Sequence, residues 1–225
     1  MGFIDIFFPK KCLECGKEEV YLCRSCIEKV AFLKQVCIRC ERPSIDGMTH
    51  VKCQKKLDLD RCFSLWVYQG VIRKAIVKLK YKFAYEISLE LANHFVHFLG
   101  KKDIIFPQNV ILTPIPLHRR RKNWRGFNQA EEMGKIVSER LGWKFYPDIL
   151  LRKKLNFPQT ELKEDQRKGN IRGVFCLNPR YDIQNTLNTI LIFDDVLTTG
   201  ATLKEAGKVL KRNGARKVLG LTMAR

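Results

Sequence analysis

A chain of 225 residues that is 45% hydrophobic can bury one sizeable core and carry a small extra module, which excludes a disordered polypeptide. No apolar run approaches the roughly 18 residues that a bilayer-spanning helix needs. The apolar opening Met1–Pro9 is too short and lacks a preceding basic segment, so neither a membrane span nor a signal peptide is expected, and the protein is assigned to the cytoplasm. The formal charge of +19 is unevenly spread: residues 1–60 hold eleven Lys/Arg against nine Asp/Glu, and residues 61–168 hold twenty-two against ten. The basic character belongs to the larger part of the chain, where a polyanion such as single-stranded DNA, or a pyrophosphorylated ligand, is the partner to expect. Solubility alone is the other reading of the same charge.

Eight of the nine cysteines fall within the first 62 residues, in the order Cys12-x-x-Cys15, Cys23-x-x-Cys26 and Cys37-x-x-Cys40, followed by His50-x-x-Cys53. Each x-x spacing lets two ligands on one turn reach the same ion, and two such turns complete a tetrahedral site. Eight ligands imply two structural zinc ions. Sequential pairing needs the shortest loops, but spacing alone leaves crossed pairing and a single filled site open. His50 is the least determined ligand, since a histidine beside a turn needs no metal. A disulfide framework fits poorly with an odd cysteine total and no secretion signal. The segment has few large apolar residues and is expected to need its ions to fold, so residues 1–60 are read as a double zinc-ribbon domain and 61–225 as the larger domain. Cys62 and Cys176 lie in apolar surroundings and read as packed thiols rather than nucleophiles.

In the larger domain, Cys62–Tyr68 reads as a strand. Val71, Ile72, Ala75, Ile76 and Leu79 recur at helical spacing, and Ile87, Leu91, Phe95 and Phe98 mark a second helix that ends near Gly100. His94 and His97 on that helix are assigned no chemistry. Asn109–Thr113 is the next strand, closed by Pro114-Ile115-Pro116. Arg119, Arg120, Arg121, Lys122 and Arg125 then crowd into a loop before a helix over 128–140, a cluster that is unfavourable unless an anion neutralises it. Trp124 and Phe127 read equally as stacking platforms for a base and as anchors of the loop. Residues 151–168, polar and basic around Pro158, suit a lid. Gly173–Leu177, Thr189–Phe193 and Lys217–Met223 continue the sheet, giving a parallel α/β architecture.

The most informative stretch is Ile190-Leu191-Ile192-Phe193-Asp194-Asp195-Val196-Leu197-Thr198-Thr199-Gly200-Ala201-Thr202. An apolar strand ends in two carboxylates and turns through Thr198, Thr199, Gly200, Ala201 and Thr202 into a helix over Leu203–Leu210. That turn groups backbone N–H donors and hydroxyls where the helix dipole favours an anion. The aspartates repel a phosphate directly, but they can accept hydrogen bonds from a diol or act through a bridging Mg²⁺.

This stretch resembles the signature of type I phosphoribosyltransferases. The resemblance implies that Asp194 and Asp195 face the ribose hydroxyls of phosphoribosyl pyrophosphate (PRPP), with its 5′-phosphate held by Thr198–Thr202. The run Thr113–Pro116 with Arg119 and Arg125-Gly126-Phe127-Asn128-Gln129 is similar to the competence-associated ComF family. So are Lys78-Leu79-Lys80-Tyr81, Pro158-Gln159-Thr160, Arg167 and Asn170–Phe175. That family couples a zinc ribbon to a phosphoribosyltransferase-like domain. The resemblance implies that the loop after Thr113 faces pyrophosphate with Arg119 and Arg125 as anion contacts, that Mg²⁺ assists, and that residues 151–168 form a hood. It also implies cytoplasmic handling of incoming single-stranded DNA beside the DNA-uptake machinery. A base-salvage transferase and a non-catalytic DNA-binding adaptor are the competing readings, and no segment identifies an acceptor.

Overall fold

The computed structural model describes residues 10–79, 84–102, 104–153, 173–184 and 187–225, with backbone alone at residues 84 and 119–121. Of the expected lid over 151–168, residues 154–168 lie outside the described residues, Arg167 among them, as do Lys80-Tyr81 and residues 170–172. Among the described residues no helix is long and apolar enough to cross a membrane.

Five parallel strands form the main sheet in the order β1-β7-β6-β2-β3, namely β1 (Arg61–Trp66), β7 (Val218–Ala224), β6 (Thr189–Val196), β2 (Val110–Pro114) and β3 (Lys144–Phe145). Side chains on β6 alternate between faces, as the two-residue period of a strand requires. Leu191 and Phe193 enter one core; Ile190 and Ile192 enter the other. Against the first face pack α2 (Gly70–Lys78), α3 (Ala84–Gly100) and α5 (Gln129–Leu141), through Ile72, Leu91, Phe95, Met133 and Val137. The second face is covered by α6 (Ala201–Arg212) through Leu203, Ala206 and Leu210. With both faces covered, β6 and β7 can be almost wholly apolar.

Two local readings are corrected. Residues 173–177 do not continue the main sheet: β5 (Phe175–Leu177) pairs antiparallel with β4 (Leu150–Arg152) in a separate two-stranded sheet. The slot beside β2 is filled instead by β3, because the left-handed Gly142 (φ +67°) that ends α5 returns the chain directly alongside it. The basic segment after Pro116 is not wholly a loop either, for residues Arg119–Arg125 form a short helix, α4.

The ribbon is not a detached module. Its first half, including the single turn α1 (Arg24–Ile27), buries Leu22, Ile27 and Val30 in the same core as α2 and α3. One carboxylate oxygen of Glu90 on α3 accepts from the backbone N–H of Tyr21 (2.9 Å) and of Leu22 (2.8 Å). One turn on, His94 Nε2–H donates to the Leu22 carbonyl at 3.0 Å, so this histidine is a structural tie. Beside the ions that the segment is expected to need, the α/β domain supplies apolar burial through this shared core.

The second half of the ribbon lies along β1, bridged at Met48–Arg61. Gly47 holds φ +75° there, and a Cβ at that position would stand 2.0 Å from the backbone oxygen of Cys62. A backbone oxygen inside a paired strand cannot step aside. Gly47→Ala should therefore destabilise the folded chain by at least about 2 kcal/mol, read as a lower urea midpoint in zinc-replete protein. A midpoint equal to wild type would show that the ribbon does not press on β1 in solution.

Candidate functional site

The metal ligands predicted from spacing converge in sequential pairs. One ligand atom each from Cys12, Cys15, Cys23 and Cys26 lies within 4.8 Å of the other three, and the same holds for Cys37, Cys40, His50 and Cys53. A tetrahedral zinc with bonds of about 2.3 Å sets sulfurs about 3.8 Å apart, and the Cys15–Cys23 sulfurs stand at 3.6 Å. Without a cation such crowding splits the thiols. The Ser25 hydroxyl, 3.3 Å from the Cys23 sulfur, draws Cys23 down to about 6, whereas desolvation and the neighbouring Cys23 push Cys26 up to about 12.

His50, the least determined ligand on spacing, gains independent support from its orientation. Its Nδ1 stands 3.3 Å from the Cys40 sulfur, while Nε2 is 3.0 Å from the Pro43 carbonyl. A carbonyl only accepts, so Nε2 carries the proton and Nδ1 keeps its lone pair for a metal. An outer hydrogen bond of this kind usually fixes a zinc-bound histidine. Cys62 stays apart from both groups, fully buried, with desolvation pushing its thiol up to about 12. Cys176 lies half-buried in β5.

At the carboxyl edge of the main sheet a cavity of about 340 Å³ collects Asp194, Asp195, Thr198, Thr202 and Arg125. The aspartates belong to β6 itself, which ends one residue later at Val196. Each takes a hydrogen bond from the next backbone N–H, Asp195 N–H to Asp194 Oδ1 at 2.9 Å and Val196 N–H to Asp195 Oδ1 at 2.7 Å. Burial, and then the charge of Asp195, hold the Asp194 carboxyl well above the usual carboxylate range, although its side chain keeps partial access to the cavity. Thr199, Gly200 and Ala201 complete the loop without lining the cavity: Gly200 caps α6 in the left-handed region, and Ala201 N–H donates to Thr199 Oγ1 at 3.4 Å.

The arginine motif divides its work. Arg125 lines the cavity and donates to Gln129 Oε1 at 2.9 Å. Asn128 is a buried helix cap, accepting from Ala130 N–H and donating to the Ile115 carbonyl at 3.0 Å, which ties α5 to the strand-end loop. The backbone of Arg119 opens α4; its side chain lies outside the described residues. Trp124 is 71% exposed, which separates it from Phe127, packed against the core.

Tyr68 and Arg152 also line the cavity; sequence reasoning missed Tyr68 and placed Arg152 near the site only as part of the expected lid. Tyr68 follows the end of β1 by two residues, so the rule that α/β ligands sit beyond strand carboxyl ends could have found it. Arg152 belongs to strand β4 and not to a lid. It reaches the cavity because β4 pairs with β5, where its guanidinium lies 5.7 Å from the Phe175 ring centroid.

The fold and these clusters define a class of protein, a parallel α/β domain carrying an N-terminal double zinc ribbon. A family profile described as a double zinc ribbon domain matches residues 3–55. The chain is 27% identical over 225 residues to the competence protein ComFC of Bacillus subtilis, covering 95% of this chain and 86% of that one. It is 26% identical over 205 residues to the DNA utilization protein YhgH of Escherichia coli K12, covering 88% and 87%. Among solved structures it is similar to an allosteric regulatory enzyme of purine biosynthesis (TM-score 0.43, 12% identity, 65% of this chain and 29% of that one). It is also similar to a hypoxanthine phosphoribosyltransferase from Staphylococcus aureus (TM-score 0.38, 14% identity, 61% and 62%). The resemblance to the ComF family read from the motifs is thus supported by relatives that match along most of the chain.

Elemental analysis of folded protein from metal-replete growth should find two zinc ions per chain, falling to about one in His50→Ala, with Cys62→Ser unchanged. A wild-type content of one or none would remove the two-site arrangement.

Proposed function

We propose that this chain is a PRPP-binding protein of cytoplasmic single-stranded DNA handling, in which residues 61–225 form the ligand-binding domain, residues 1–60 the zinc ribbon, and the site has the makings of phosphoribosyl transfer. The observation that carries the reading is the meeting of Asp194, Asp195, Thr198, Thr202 and Arg125 in one cavity at the strand ends. The carboxylates are suited to accept hydrogen bonds from the ribose diol. N–H groups and hydroxyls of Thr198–Thr202 at the start of α6 are suited to the 5′-phosphate. Arg125 and the cavity-lining Arg152 balance the charge of the pyrophosphate, and Arg119 is the further anion contact that the family resemblance implies.

The acidic pair fits a divalent cation, since a desolvated carboxyl beside a second carboxylate is relieved by a positive charge. Mg²⁺ held by Asp194 and Asp195 would neutralise pyrophosphate oxygens. The protein's own part in transfer is to hold the diol and both phosphate ends so that a nucleophile can approach ribose C1 as pyrophosphate leaves. No covalent enzyme intermediate is needed.

The nucleic-acid part rests on relatives named for competence and DNA utilization, and on the exposed Trp124 indole on a helix that also carries Lys122 and Arg125. An exposed ring among cations can stack a base while the cations hold the strand's phosphates. DNA-uptake machinery is the expected partner of such a role.

Calorimetric titration with PRPP and Mg²⁺ should show one saturable site, weakened at least about a hundredfold by Asp194→Asn combined with Asp195→Asn. No binding by the wild type would end the PRPP reading. Pyrophosphate release that requires an added acceptor would demonstrate transfer. Because burial raises the Asp194 carboxyl, a cation binding there competes with its proton; Mg²⁺–PRPP affinity should therefore strengthen as pH rises through the Asp194 titration and weaken on acidification. A flat profile would exclude Asp194 as the group that loses the proton.

Oligodeoxythymidylate binding should fall steeply with salt, and Trp124→Ala should weaken it by about fivefold to a hundredfold, the range of one lost base stack. Unchanged affinity in that variant would remove Trp124 from the interface.

A further inference from the structure

The two halves of the ribbon repeat a pattern and use it differently. In Cys12-Leu13-Glu14-Cys15 and in Cys37-Ile38-Arg39-Cys40, the residue after the first ligand is aliphatic. Leu13 packs against the core shared with α2 and α3. Ile38, only 6% exposed, enters the core on the opposite side of the sheet together with Leu197 and Leu203. Those two leucines bracket the Thr198–Thr202 loop on either side.

The contact is closest at the loop's pivot. A Cβ built on Gly200 would stand 3.2 Å from Ile38 Cδ1 and 3.3 Å from Cγ1. Gly200 holds φ +71° and is the cap from which α6 starts, so its position sets the direction of the N–H groups that follow. Ile38 in turn sits in a tight turn closed by Glu41 N–H to the Cys37 carbonyl at 2.8 Å and Cys37 N–H to the Arg42 carbonyl at 2.9 Å. Beside it, Glu41 reaches Arg225 at the end of the chain, 3.3 Å away, and Arg39 reaches Asp58 at 3.2 Å. The second metal knuckle is thus braced against the sheet and presses one methyl-bearing side chain under the loop.

We propose that Ile38 is a positioning residue for the Thr198–Thr202 anion loop, and that through it the Cys37/Cys40/His50/Cys53 knuckle, and not the first one, sets how firmly the loop holds a phosphate. This rests on the reading of that loop as the 5′-phosphate grip. The first knuckle supplies an internal control, since Leu13 occupies the same place in its turn and faces the other core.

The test uses full-length, zinc-replete protein carrying Ile38→Ala, Ile38→Val or Leu13→Ala, with zinc content, PRPP affinity in Mg²⁺ and amide hydrogen exchange measured for each. Ile38→Ala is expected to keep two zinc ions, to bind PRPP about tenfold more weakly and to exchange amides of residues 198–203 about tenfold faster, with β1 and α3 unchanged. Ile38→Val, which loses only Cδ1, should fall between Ile38→Ala and wild type. Leu13→Ala should leave the loop's exchange and the PRPP affinity as they are. Loop exchange and affinity unchanged in Ile38→Ala, or disturbed as much by Leu13→Ala, would overturn the proposal. If Ile38→Ala does not fold, Ile38→Val decides: faster exchange confined to the loop supports the role, and wild-type exchange overturns it. Failure of the wild type to bind PRPP would defeat the ligand reading, while the exchange measurements would still decide whether Ile38 holds the loop.

Discussion

β6 is hydrogen-bonded along both edges, to β7 from Ile190↔Val218 through Val196↔Ala224 and to β2 from Val110↔Thr189 through Pro114↔Phe193. Parallel pairing on both sides points the carboxyl ends of β1, β2, β6 and β7 to one edge, and everything at the candidate site hangs from that edge. Asp194 and Asp195 are still within the paired strand, so their backbone is held by the sheet rather than by a loop. A carboxylate desolvated in that position is unfavourable by itself. The buried Leu191, Ile192 and Phe193 just before the pair anchor it against that strain.

The two zinc-ligand groups are linked to this same edge from opposite faces of the sheet. One group shares a core with α2 and α3 and is clasped by Glu90 and His94; the other runs along β1 and reaches the loop after β6. A small ribbon with little apolar content gains stability in this way from both its ligands and the larger domain. The converse holds too: β1 is an edge strand of the main sheet, and the ribbon covers it through the bridges Phe32–Trp66 and Met48–Arg61. An edge so covered does not present a row of free backbone groups to another chain.

Charge is distributed with the same economy. The cavity holds two carboxylates on its strand side and two guanidiniums, Arg125 and Arg152, brought in by α4 and β4. A ligand combining a diol with phosphates would meet opposite charge or hydrogen-bond donors at each polar group. Asn128, Gln129 and the Ile115 carbonyl form the brace that keeps the arginine-bearing segment next to the strand ends.

Much of this was legible in the chain. The knuckle spacing foretold two groups of four ligands because a two-residue gap is a local geometric property, and the apolar run ending in Asp194-Asp195 foretold a buried parallel strand because side-chain periodicity is local as well. The helix read over 128–140 is α5, which Asn128 caps and the left-handed Gly142 ends. What the tertiary structure alone decided is everything that depends on residues far apart in sequence. Local periodicity shows that residues 175–177 are extended but not which neighbour they take, so the antiparallel β4–β5 pair, which brings Arg152 to the cavity from a strand and not from a lid, could not be read in advance. Spacing puts Cys37 and Cys40 within reach of one ion but does not show that Ile38 between them lies under Gly200, because 162 residues separate the two and only the packing of the ribbon on the sheet brings them together.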